Sequence, residues 1–292
     1  MAFLSFASAS TAPLRLAARA MLRPVLACLL LVSLVPAHAE LMLHPTRLVF
    51  DKNARSAQIE LINNGTTPAS YRISLVNRRM TDDGQFEAAD TAQDGERFAD
   101  DMLRYSPRQV TLQPGTAQTV RVLLRKPAEL ADGEYRSHLQ FDKLPEVEGS
   151  ASIENRGANP GQIGVVINAL VGAAVPVIVR HGVTNASVSL GALALQKDAA
   201  RQPVLALQFN REGNSSVYGD LSVTFTPKNG APRVLAQVGG IAVYTPNRLR
   251  KALVPLQVPA GTNLAAGTLE VSYRDRPEAG GKLLAQASLN LP

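Results

Sequence analysis

The chain has 292 residues, a formal net charge of +6 and one cysteine, Cys28. Tryptophan is absent and aromatic residues make up only 5%, while 21 glycines and 19 prolines punctuate the text, which fits an all-β protein rich in turns better than a helical one. The charge is too mild to imply a nucleic-acid partner.

Residues 1–39 read as a removable secretory signal. Arg15, Arg19 and Arg23 form a basic region, Pro24 to Val35 is apolar, and Ala37-His38-Ala39 is a cleavage site before Glu40. Met1 and Met21 both remain open as the start. Val25-Leu26-Ala27-Cys28 has the order of a lipoprotein box, but almost no apolar stretch precedes its cysteine. Removing 39 residues leaves 253, takes away three arginines and so brings the charge to +3. The exported product has no cysteine, hence no disulfide. Its length suits two domains of about 120 residues, each with its own core. No other segment of the mature chain approaches a transmembrane span, so no membrane insertion is expected.

From Leu41 to Lys143 the sequence reads as short strands separated by turn signals. Arg47 to Phe50 is a first strand, Ala57 to Ile62 alternates up to the turn Asn63-Asn64-Gly65, and Tyr71 to Val76 continues the alternation. The polar stretch Thr81 to Asp101 reads as a long surface loop with room for a helical turn. Val110 to Leu112, the turn Gln113-Pro114-Gly115 and Thr119 to Leu124 form a hairpin, and Tyr135 to Phe141 alternates again. Such spacing predicts an antiparallel sandwich. Glu146 to Gln162 is rich in Gly, Ser, Asn and Glu and reads as a mobile loop.

That loop runs into Ile163 to Val179, seventeen residues without a charge, nine of them Val or Ile. Gly164, Gly172 and Pro176 disfavour a helix, so the run is read as strand. Extended, it would reach roughly 55 Å, far more than an ordinary strand. A strand that long either crosses two domains or protrudes as an apolar edge that another chain can pair with. Ile163, Val165, Ile167, Ala169 and Val171 share one face. An internal core strand is the competing interpretation. Arg180-His181-Gly182 closes the run and marks a boundary between domains at 40–181 and 182–292. Seven further strands follow, Ala186 to Leu195, Val204 to Phe209, Leu221 to Phe225, Gly240 to Tyr244, Ala252 to Val258, Gly267 to Tyr273 and Leu283 to Leu289, predicting a second sandwich. The fold class is therefore all-β.

Several segments resemble the periplasmic pilus chaperones of the chaperone–usher pathway. Leu43 to Phe50 resembles their opening strand; Ser106-Pro107-Arg108, Leu112 to Gly115 and Gln118 to Val122 resemble their most recognisable internal block. Gly133 to Leu139 and Gly213 to Leu221 are closer to the archaic branch of the family. The resemblance implies two immunoglobulin-like domains set at an angle, no catalytic activity and no cofactor. It also implies donor-strand complementation. The chaperone lends an edge strand to an incomplete pilin, and an outer-membrane usher receives the complex. On that reading Ile163, Val165, Ile167, Ala169 and Val171 enter the subunit groove, which agrees with the apolar edge derived above. Three such buried side chains would contribute roughly 5–9 kcal/mol before the cost of association.

The resemblance further implies that Arg47 anchors the subunit's terminal carboxylate through a charge-assisted pair. Pro176 falls where the family places a second anchor, a lysine, which leaves Arg136 among the candidate replacements. It also implies an interdomain salt bridge between Arg180 and Asp275, with a further acidic residue near Glu134 to Arg136. The partners implied are pilin or fimbrial subunits and the usher, in the periplasm; a homodimer of the free protein stays open.

Other chemistry finds no support. His44, His138 and His181 are widely separated, so no metal site is expected. No nucleophile elbow, phosphate loop or dinucleotide fingerprint occurs. Asp82-Asp83 and Asp100-Asp101 are adjacent pairs in a polar stretch, a poor geometry for shared acid–base work. The alternative to a chaperone is a two-domain binding or structural module that self-associates through its edge strand.

Overall fold

The computed structural model describes residues 40–145, 172–259 and 261–292. The signal segment, the Glu146 to Gln162 loop and the five expected subunit-binding residues Ile163, Val165, Ile167, Ala169 and Val171 lie outside the described residues.

The first half forms β1 (Leu41–His44), β2 (Leu48–Phe50), β3 (Ser56–Asn63), β4 (Ala69–Val76), β5 (Arg78–Met80), β6 (Phe86–Ala88), β7 (Leu103–Ser106), β8 (Gln109–Leu112), β9 (Ala117–Leu124), β10 (Gly133–Lys143) and β11 (Gly172–His181). Two sheets face each other, in the orders β1-β3-β9-β7 and β2-β11-β10-β4-β8. Period-two alternation decides which side chains fill the space between them. In β3, Ile59 and Leu61 are buried while Glu60 is exposed; in β9, Val120, Val122 and Leu124 point in while Arg121 and Leu123 point out. Phe50, Tyr71, Leu139, Phe141, Val177 and Val179 complete this core. Burying each such side chain is worth about 1.5–3 kcal/mol.

The second half forms β12 (Ala186–Lys197), β13 (Pro203–Gly213), β14 (Val217–Pro227), β15 (Arg233–Val243), β16 (Leu249–Pro255), β17 (Gly267–Asp275) and β18 (Leu283–Leu291). Its sheets run β12-β13-β16 and β15-β14-β17-β18. Every second residue of β14 and β17 enters the core, giving Leu221, Val223, Phe225, Leu269, Val271 and Tyr273. The Tyr273 ring meets Phe209 edge-on at 5.1 Å, and its hydroxyl donates to the Ile241 carbonyl at 2.7 Å. The protein is thus two immunoglobulin-like β-sandwiches in tandem.

Gly219 lies within β14, opposite Asp275 of β17. A Cβ there would run into the backbone carbonyl of Arg274, which cannot swing away as a flexible side chain could. Gly219→Ala is expected to destabilise the protein by about 1–3 kcal/mol, read as a lower denaturation midpoint at unchanged m-value.

The polar stretch from Thr81 to Asp101, expected as a surface loop, is in part a hairpin. β5 and β6 pair antiparallel, and a 3-10 turn follows at Asp100–Met102. The hairpin is strapped to the second sandwich: the Lys251 amide donates to the Asp82 carbonyl at 2.5 Å, and Asn247 Nδ2 to the Met80 carbonyl at 2.8 Å. Met80 and Ile178 of β11 are buried in the second core.

Candidate functional site

β11 is flanked unequally. On one side β10 pairs antiparallel along its whole length, from Gly172 opposite Asp142 to His181 opposite Gly133. On the other side β2 pairs in parallel over Val177–Val179 alone. Among the described residues, Gly172–Pro176 therefore have no strand on the β2 side, and their backbone is an open edge. Val175, Val177 and Val179 point into the first core, while Ala174 and Pro176 face a cavity where the two sandwiches meet.

Arg47 stands just before β2, at the end of that open edge. Its guanidinium carbon lies 4.0 Å from the centre of the Tyr218 ring, and its buried Nε has no hydrogen-bond partner. Arg78, His138, Pro176, Tyr218 and Tyr244 line the same cavity of about 270 Å³. Pro176 sits directly opposite His138 in the β10–β11 ladder, so the place where the family pattern expects a lysine faces an imidazole. Arg136, the candidate replacement, is committed elsewhere. It donates to the Thr245 carbonyl at 3.1 Å and the Arg78 carbonyl at 3.2 Å, and lies 4.4 Å over the Tyr244 ring. It pins the first sandwich to the second.

Arg180 lies at the junction, but the carboxylate it meets is Glu134. The two face each other in the β10–β11 ladder, Arg180 Nε donating to Glu134 Oε2 at 3.2 Å. The Glu134 side chain is fully buried and also accepts from the Ser216 amide at 3.0 Å and from the Ser216 hydroxyl. Lys126 Nζ donates to the Arg180 carbonyl at 2.7 Å. Asp275 ends β17, with its amide donating to Lys282 at 2.8 Å, and does not pair with Arg180. The expected Arg180–Asp275 bridge is therefore replaced by Arg180–Glu134, because cross-strand register sets two side chains side by side on one face.

His138 is 2% exposed, and neither ring nitrogen has a partner. Burial, reinforced by the positive charges of Arg136 and Arg78, pushes its pKa down to about 3. The unfolded chain accepts a proton here near pH 6.5 that the folded chain refuses until about pH 3. Stability therefore falls as the pH drops across that window, by up to about 1.4 kcal/mol per pH unit. His138→Gln is expected to flatten this part of the profile, as measured by urea unfolding at a series of pH values.

Residues 40–168 match the family model described as pili and flagellar-assembly chaperone, PapD N-terminal domain. No curated protein matches the chain. Solved structures similar to it include the CupB2 chaperone of Pseudomonas aeruginosa, 15% identical, covering 86% of this chain and 100% of that one with a TM-score of 0.42. Another is the CsuC–CsuE chaperone–tip adhesion subunit complex of archaic Csu pili from Acinetobacter baumannii, 12% identical, covering 87% and 98% with a TM-score of 0.40. A third is the Salmonella enterica SafA pilin in complex with the SafB chaperone, 13% identical, covering 87% and 97% with a TM-score of 0.39. Among the described residues, no helix is long and apolar enough to cross a membrane.

Proposed function

We propose that this chain, a member of the pili and flagellar-assembly chaperones and hence a non-enzymatic assembly factor, holds a pilin-type subunit on the edge of β11 and the apolar run that precedes it. The observation that carries this reading is the open edge at Gly172–Pro176, with β2 supplying only three residues of parallel ladder beyond it. An added strand gains main-chain hydrogen bonds from such an edge and specificity from alternate side chains. The five residues Ile163, Val165, Ile167, Ala169 and Val171 have the same parity as Val175, Val177 and Val179, and would extend the apolar face toward the partner.

Direction follows from charge. A strand laid in line with β2, parallel to β11, would point its C-terminus at Arg47. An antiparallel strand ending there would bring its positively charged N-terminus to a guanidinium. The parallel arrangement is favoured, and it places a terminal carboxylate where Arg47 can receive it. Release of the mature chain by its signal segment would put this work in the periplasm, with hand-over to an outer-membrane usher.

The test is recovery of the tagged mature protein from the periplasm of its own host, read by intact mass spectrometry. A small exported subunit held 1:1 is the expected result. Recovery of this chain alone, as monomer or dimer, would replace the chaperone reading with a self-associating module.

A further inference from the structure

Asparagine followed by glycine is a dipeptide in which the backbone can react with its own side chain. Glycine has no Cβ to keep its nitrogen away from the neighbouring amide carbon. The sequence contains two such pairs, Asn64-Gly65 and Asn229-Gly230. Both stand in turns between strands, where Asn and Gly are favoured. The fold treats them in opposite ways.

The first pair is held. Asn63, buried at the end of β3, uses all of its polar groups. Its amide donates to the Thr116 carbonyl at 3.0 Å, and its carbonyl accepts from the Gly115 amide at 2.8 Å. Nδ2 donates to the Thr67 carbonyl at 2.8 Å and the Leu112 carbonyl at 3.0 Å. Oδ1 accepts from the Gly65 amide at 2.9 Å, which occupies the one nitrogen that could attack Asn64. The second pair is open. It lies in the connection from β14 to β15, where every residue from Lys228 to Val234 is exposed. Among the described residues, neither the Asn229 side chain nor the Gly230 amide has a hydrogen-bond partner.

We propose that Asn229 is a site of spontaneous deamidation and backbone rearrangement, from which the fold shields Asn64. The Gly230 nitrogen bonds to Cγ of Asn229, the Cγ–Nδ2 bond breaks, and ammonia leaves with the proton that the nitrogen gave up. One water then opens the cyclic imide. Breaking the new N–Cγ bond gives an ordinary aspartate. Breaking the original peptide bond instead leaves the chain running through the side chain, with one extra backbone carbon in the turn. Neither step needs a cofactor or a redox partner. Both products put a carboxylate where a neutral amide stood, so the charge of the mature chain falls from +3 to +2. β14 runs from Val217, beside the junction of the sandwiches, to Pro227, a span of roughly 33 Å. The change is therefore confined to the far end of the second sandwich.

The test is ageing of the mature protein at mildly alkaline pH, which favours the deprotonated attacking nitrogen, followed by acid digestion with pepsin and mass spectrometry. Conversion is read at each site as the mass gained when NH2 is replaced by OH, and fragmentation locates the extra backbone carbon. In the folded protein Asn229 is expected to convert about tenfold faster than Asn64 or more, because Asn64 reacts only after its turn has opened. In urea, with both turns dissolved, the two rates should converge. Asn229→Gln should remove the fast step, seen as loss of the acidic form on ion exchange. Equal rates in the folded protein, or a faster Asn64, would overturn the proposal. So would a rate ratio that survives in urea, since the fold would then not be what separates the sites. Conversion at neither site when folded, with both converting in urea, would show that the second turn holds Asn229 as firmly as the first holds Asn64, and would also overturn it.

Discussion

Ile167→Asp is expected to abolish capture of the subunit. On the proposed reading Ile167 is the central member of the five-residue face. Its replacement forfeits about 1.5–3 kcal/mol of apolar burial. It also forces a carboxylate into a groove shaped for alkyl groups, an effective penalty of several kcal/mol for an unpaired ion. Together these exceed about 4 kcal/mol, a loss of roughly a thousandfold or more in affinity. Side-by-side pull-downs of wild type and variant measure it, with the circular dichroism melt of the free variant as the folding control. Retention of the subunit by a folded variant would remove Ile167 from the interface.

Glu134→Ala is expected to be the most damaging single change at the junction. The carboxylate is fully buried and serves Arg180, the Ser216 amide and the Ser216 hydroxyl at once. Removing it leaves Arg180 without its counter-charge and the Ser216 amide without an acceptor. Breaking a buried pair from one side typically costs about 3–5 kcal/mol. Because Glu134 sits on the first sandwich and Ser216 just before β14, the variant should also loosen the two against each other. Urea unfolding gives the first effect, and small-angle scattering gives the second as a larger radius of gyration. A midpoint within the error of wild type would show that the pair is dispensable. Asp275→Ala, which spares this network, is the matched control.

Much of the architecture was legible because alternation survives in the text. β3, β9 and β10 show it plainly, and six of the seven strands of the second half fall within about four residues of their expected bounds, whereas β15 starts at Arg233, seven residues before the expected Gly240. β1 escaped because Leu41-Met42-Leu43 does not alternate, and β5 and β6 escaped because three-residue strands of mixed polarity carry no period. Part of the site was readable for a different reason. Arg47 belongs to a recognisable opening segment, whereas Arg78, His138 and Tyr218 come from three unrelated stretches that only the tertiary fold brings together. The ion network around Arg180 was readable in part: the resemblance placed an acidic member near Glu134 to Arg136, and the β10–β11 register shows that Glu134, not Asp275, is the carboxylate that meets Arg180.

The β5–β6 hairpin has a mechanical consequence. It carries Arg78 and Phe86 into the cavity, yet it is tied to β16 by one backbone hydrogen bond, from the Lys251 amide to the Asp82 carbonyl, and by the Asn247 side chain to the segment between β15 and β16. On the proposed reading, a strand laid along β11 beside this cavity would lean on a strut that spans both lobes, and the stiffness of that strut would become a term in how firmly cargo is held.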